Sequence, residues 1–261
     1  MATAAKATTK ASPKNTNTTK NAVAVRKPSG TALVSMQEAI KQEIADLANR
    51  TGSPGGDEIR VTQDKMFKLP DGTEHPGPLN LVIVDFVTGR YFYDRPFDSK
   101  NPCPPACYAI SVQPTSMAPP KDVPDRQSDN CTGCPMNEFG SAGDGKACKE
   151  SRVLAVIPED ADANTEIAVL KVSPTALKAF DSYVRSVAGT LSKAPFQVVT
   201  QVSFDANLKY PSLRFGNPEP ASEDLVATAF ALREAARARI MSHPDTSQYT
   251  PPAPARGAKR R

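Results

Sequence analysis

Five cysteines are the residues of this chain whose types and spacing can do chemistry. Cys131 and Cys134 form a C-x2-C knuckle around Thr132 and Gly133. A turn with glycine inside it brings residues i and i+3 together, so two sulfurs converge on one ion as tetrahedral zinc requires. Cys107, after Pro104 and Pro105, and Cys148, after Gly145-Lys146-Ala147, are the expected third and fourth ligands. Cys103 is the alternate to Cys107, although two prolines stiffen the C-x3-C stretch between them. A metal so held closes two long loops and lends stability that a Pro- and Gly-rich stretch cannot draw from a core. Zinc leads and an iron–sulfur cluster is the rival, since four thiolates hold either. Disulfides and free buried thiols are the other readings. An odd cysteine count, no secretory signal peptide and no bilayer-spanning apolar run speak for a cytoplasmic protein without a membrane partner.

A second set of residues suits a polyanion. Single-strand binders need aromatic faces for stacking and cations that track phosphate. Candidates are Arg90, Tyr91, Tyr93 and Arg95 in one stretch, Lys146, Lys149 and Arg152 beside the last cysteine, and Tyr210 with Arg214. On a strand Tyr91 and Tyr93 share a side and Phe92 takes the other, a platform facing out and a ring facing the core. Each tyrosine alone also fits an ordinary half-buried strand position. Lys146, Lys149 and Arg152 suit equally the neutralising of a thiolate cluster. The charge is unevenly divided: no acid precedes Glu38 or follows Asp245, and ten of the 32 Lys and Arg lie outside those limits. The interval between therefore holds 22 cations against 28 acids. Basic arms on an acidic body hold a polyanion by counterion release, or simply keep a protein soluble.

Catalytic patterns are missing. His75 and His243 each precede proline, far from the cysteines, and neither falls in a nucleophile or H-E-x-x-H pattern. The stretch Gly140 to Lys146 lacks the spacing of a phosphate loop, and its glycines read as room to wrap a metal. Asp85, Asp94 and Asp98 read as solvated strand-end acids, so the chain is not expected to be an enzyme.

The elements that must position these residues follow from periodicity. Residues 1–30 and 246–261 read as disordered basic tails around a single core domain over 31–245. Ser35-x-x-Glu38 caps a helix carrying Met36, Ile40, Ile44 and Leu47 that stops near Gly52. Short strands are predicted over Glu58–Thr62 and Lys65–Leu69, and a central one over Leu79–Val87, with Gly89 turning the chain into Tyr91. The cysteine module spans about 101–150. Strands over Arg152–Ile157 and Glu166–Val172 follow, then a helix from Ser173-Pro174 with Leu177, Phe180, Val184 and Val187 on one face. Phe196–Phe204 and Ser212–Phe215 are the last strands. A helix capped by Ser222 runs to about Met241, with Arg233, Arg237 and Arg239 set opposite Leu225, Phe230 and Leu232. Strand, strand, strand, helix, strand, strand is the order of a small five-stranded barrel of the oligonucleotide-binding (OB) type in an α+β domain, with the cysteine module as an excursion from a barrel loop.

From Ile59 to about Phe215 the chain resembles a group of bacteriophage proteins. The shared elements, in order, are Leu69 to Gly72, Pro104 to Cys107, Cys131 to Ser141 and Gly145 to Lys149. The group looks like phage single-stranded DNA-binding proteins in its barrel-like order and its cysteine loop. The resemblance implies a sequence-nonspecific single-stranded DNA-binding protein of phage replication or recombination, with other replication or recombination proteins as partners, and it favours Cys107 over Cys103. The basic end Arg256 to Arg261 departs from the acidic tail usual in single-strand binders, so under the DNA reading this terminus does something different, with binding DNA itself as one option. The competing expectations are a zinc-stapled structural or adaptor protein with nucleic-acid-tethering tails, and an iron–sulfur DNA-processing protein.

Overall fold

The computed structural model describes residues 57–96, 98 and 103–251; the predicted helix over 35–52, the amino-terminal tail and residues 252–261 lie outside them. The centre is a strand of fourteen residues, β4 (Leu79–Phe92), apolar on both faces in its first half. It runs antiparallel to β6 (Lys149–Pro158) along nearly its full length, from Leu81 opposite Pro158 to Tyr91 opposite Lys149. β7 (Ala168–Val172) pairs with the far side of β6. On its other side, the first residues of β4 pair with β8 (Val198–Phe204), which pairs in turn with β9 (Leu213–Pro220). Three short strands, β1 (Glu58–Val61), β2 (Phe67–Lys68) and β3 (Glu74–His75), extend the sheet beyond β7, and β1 runs parallel to it. β5 (Cys107–Ser111) lies on the last residues of β4.

Among the described residues nine strands join one sheet, where the sequence pattern predicts seven strands, five of them in a barrel. They form one strongly curled open sheet, a half-barrel, in a mixed α+β fold. Five of the predicted strands form the contiguous path β7-β6-β4-β8-β9, with helix α1 (Leu177–Thr190) between β7 and β8 in the chain. Residues 93–148, including β5 and the cysteines, lie between β4 and β6.

The two faces of β4 and β6 are covered by different helices. Leu81, Ile83, Leu154 and Val156 point into the hollow of the curl, where Phe180 and Val187 of α1 plug it. Phe180 meets Phe86 and Phe215 edge-on, and the buried Tyr183 hydroxyl shares a hydrogen bond of 2.7 Å with Thr200. Val82, Val84, Val87, Val153 and Ala155 point outward beneath helix α2 (Glu223–Ile240). Each large side chain buried this way contributes about 1.5–3 kcal/mol. Ala229 and Ala236 let α2 lie close to the sheet, and Ser222 caps it by accepting from the Leu225 N–H as predicted. A bulge between Ile83 and Asp85 turns Asp85 toward α2, where its carboxylate accepts from Arg237. The α2 arginines fasten the helix: Arg239 pairs with Asp57, and Arg233 lies over the Phe196 ring. Phe230, expected on the inner side, is exposed.

Gly89 does not turn the chain. β4 continues through it to Phe92, and a Cβ at this position would lie 2.6 Å from Cε2 of Tyr91. The glycine is the bed on which the Tyr91 ring lies, a close approach inside a strand rather than a corner.

Candidate metal centre and nucleic-acid interface

Both candidate sites grow from the last residues of β4, one on each face. On the inner face Phe92 lies opposite Cys107, so β5 delivers that thiol to the strand end, and Cys148 directly precedes β6. The segment between folds back to bring Cys131 and Cys134 to the same place. The Cys131 N–H donates to Met117 O at 2.9 Å, the Cys148 N–H to Met136 O at 2.7 Å, and the Asn137 side chain to Cys131 O at 2.9 Å. Cys107, Cys131, Cys134 and Cys148 line one small cavity of about 20 Å³ with Arg90 and Phe92. All are free thiols in this structure. Burial pushes the Cys148 thiol up to about 12, and Cys131, Cys134 and Cys107 add to the rise while Arg90 opposes it. Burial likewise raises Cys131 and Cys107. Among the described residues, no three His, Cys, Asp or Glu groups stand in a finished ligand set. Convergence of four thiols on one space is what the geometry provides. Cys103 lines a different cavity, of about 470 Å³, with Tyr93, Arg95 and Lys149.

Arg90 and Arg152 belong to this inner side. Arg90 donates through Nε and Nη2 to Glu150 and through Nη1 to Cys131 O at 3.4 Å. Arg152 grips Asp181 of α1 with two hydrogen bonds and Glu150 with a third. Burial works to raise the Glu150 carboxyl, but the hydrogen bonds from Arg152 and Arg90 outweigh it and hold it below its ordinary value. Only 11% of each arginine side chain is exposed. Their guanidinium groups tie the cysteine module to α1 and are not turned to solvent to meet phosphate.

The outer face is different. Tyr91 and Tyr93 fall on one side and Phe92 on the other, as strand alternation predicts, and both tyrosines line a cleft of about 590 Å³. Tyr91 is half-buried, and burial pushes its hydroxyl up to about 12, with Tyr93 and Glu58 adding to the shift. Tyr93 is 47% exposed. The cleft floor is Val153 and Val169, and its walls carry Arg60, Lys171 and Arg239. These cations face carboxylates: Glu58 takes Arg60 at 3.9 Å and Lys171 at 3.0 Å, and Asp57 takes Arg239. Lys171 also lines a neighbouring cleft of about 440 Å³ with Tyr210, which is 48% exposed in the β8–β9 connection. Lys65 holds that connection by donating to Asp205 O and Leu208 O, and Arg214 pairs with Asp205 at 3.6 Å.

The remaining candidates lie at the rim. Lys149 is opposite Tyr91 on β6 and donates to Lys146 O, and Lys146 donates to Asn137. Arg95 pairs with Asp94 and donates to Thr250 O, while Tyr249 donates to Asp94. The Tyr108 hydroxyl and His243 Nδ1 are 3.0 Å apart. The chain after α2, expected to be tail from Thr246, is therefore docked beside the outer cleft as far as Thr250.

Sequence reasoning found the four thiols and the tyrosine pair. It missed Arg60, Lys171 and Arg239, which reach the cleft from β1, β7 and α2. Only the alternation of Lys171 against Leu170 and Val172 signalled its outward direction. No family model, curated protein or solved structure matches the chain, so the phage resemblance rests on the quoted motifs. No helix among the described residues is long and apolar enough to cross a membrane.

Proposed function

We propose that the protein binds single-stranded DNA without strong sequence preference along the outer face of an OB-type half-barrel whose first loop is stapled by zinc. The observation that carries this reading is the outer cleft: Tyr91 near the end of β4 and Tyr93 just after it, with Arg60, Lys171 and Arg239 around them and Lys171 leading on to Tyr210. Stacking on aromatic faces with cations along the backbone is the chemistry of single-strand binding. Five strands paired in the order β7-β6-β4-β8-β9, a long bulged first strand and a helix between the third and fourth support the OB assignment. In such barrels oligonucleotides lie on the second and third strands between the first and last loops. Here those are β6 and β7, the cysteine module, and the connection bearing Tyr210.

The carboxylates already facing the cleft cations do not bar phosphate. Half-exposed pairs of this kind contribute about 0–1 kcal/mol, so a strand that brings several phosphates displaces them at small cost. Cys107, Cys131, Cys134 and Cys148 would hold the zinc. A cavity of about 20 Å³ has room for roughly one water-sized sphere, which favours a single ion over a cluster with its own sulfides. The metal's contribution is structural, closing the loop that flanks the cleft. Replication or recombination partners follow only from the motif resemblance.

A salt-series titration of the full chain against oligo(dT) and against a duplex of equal length tests the reading. Single strands should bind tighter at every salt concentration. Lys171→Gln should weaken binding uniformly and flatten the log–log salt slope by about 0.7, the share of one phosphate contact. Equal affinity for both DNA forms, or an unchanged slope, would return the cleft to a structural role and leave the zinc-stapled adaptor as the better account.

A further inference from the structure

The tip of the cysteine module presents a feature that neither the metal centre nor the outer cleft uses. Phe139 is 79% exposed, the most exposed large apolar side chain among the described residues. Water gains nothing from such a ring, and the turn that carries it is built to stay in place. Cys134 precedes it by five residues and Cys148 follows by nine, both facing the thiol cavity. Gly140 and Gly143 take positive φ angles of 93° and 61°, which other residues rarely adopt, and close a tight hairpin in which Gly140 and Ala142 both donate to Gly145 O. The Ser141 hydroxyl donates to Glu138 O at 2.6 Å, with Met136 O beside it at 3.1 Å, and accepts from the Ala147 N–H. A preorganised loop loses little freedom when it binds.

The same hairpin borders the tyrosine platform. Ala142, Ala147 and Lys149 line the cavity of about 470 Å³ whose other wall is Tyr93, and Tyr93 also lines the outer cleft. A path therefore runs from the Tyr91 and Tyr93 rings past Lys149 to the module tip. The tip charges nearly cancel, with Glu138 and Asp144 against Lys146 and Lys149, so its offering is a ring face rather than a field.

We propose that Phe139 is a stacking contact for a base of single-stranded DNA, at a subsite beyond the tyrosine cleft; this rests on the binding reading above. The chain contains no tryptophan, so Phe139→Trp places a unique fluorophore at the tip. Its emission should be quenched on titration with oligo(dT), in step with the anisotropy of the labelled oligonucleotide. Phe139→Ala should weaken binding about tenfold with an unchanged salt slope and unchanged zinc content. If the wild type and Phe139→Ala bind alike while the tryptophan stays bright, the inference fails alone and the cleft stands. If the wild type binds no single strand, the proposed function fails and takes the subsite with it.

Discussion

Neighbouring residues at the end of β4 serve opposite purposes. Arg90 and Phe92 face inward to the thiol cavity, where Arg90 is locked between Glu150 and the Cys131 carbonyl. Tyr91 and Tyr93 face outward to an open cleft of about 590 Å³. One strand therefore carries a brace on one face and a platform on the other, separated only by the alternation of side chains. The lesson is that closeness in sequence does not place residues in one site. Arg90, Tyr91, Tyr93 and Arg95 form a compact basic-aromatic cluster in the chain, yet only the tyrosines share the cleft.

The largest effect expected from breaking this comparison is at the metal. Cys131→Ser combined with Cys134→Ser removes half of the thiol set and should abolish zinc retention, measured by mass spectrometry under native conditions. Chelation of the wild type should loosen the same segment. Amide exchange should rise over 112–147 while β6 and β8, sealed by α1 and α2, keep their protection. Full metal stoichiometry in the double variant would remove these cysteines from the ligand set.

The convergence of the thiols and the central strands were legible because their signals are local: a C-x2-C spacing, a capping serine, runs of β-branched residues. The parts that were not legible depend on distant chain. β1 joins the sheet by parallel pairing with β7, more than a hundred residues away, and two short strands ride on it. β5 was hidden among prolines and cysteines, and nothing in its five residues announces that it pairs with β4. Gly89 was mistaken for a turn because glycine marks both corners and close approaches. Arg152 resembled a phosphate contact until Asp181 of α1 came to meet it.

The next largest effects divide the two faces directly. Arg90→Ala removes the link between Glu150 and the knuckle and should cost about 2 kcal/mol of stability, because a partly buried carboxylate loses one of its two cations. Tyr93→Ala should leave the melting temperature within about a degree of wild type and weaken oligo(dT) binding by about 1–3 kcal/mol. Both sets of values come from thermal melts and anisotropy titrations on the same preparations. An Arg90 variant as stable as wild type, or a Tyr93 variant that melts early and binds normally, would reverse the roles of brace and platform.

The smallest effect is on pH dependence, and its sign separates the faces again. In the metal-free chain burial raises the Cys148 thiol from 9.0 to about 12 and raises Cys131 and Cys107 as well. The folded chain then holds protons that the unfolded chain releases, so the stabilisation is complete below the ordinary thiol value of 9.0 and fades as pH climbs toward about 12. Zinc-bound thiolates have already lost their protons, so a loaded centre gives no such slope. Melts with and without chelator should therefore already be separated at about pH 8, by the metal's own contribution, and the gap should widen at about pH 10. Tyr91, also raised to about 12 by burial, sits on the outer face and contributes the same slope to both forms. Subtracting the loaded curve from the metal-free one leaves the brace alone. A difference curve flat through that range would mean that the thiols keep their protons with zinc present, and that the cavity they line does not hold it.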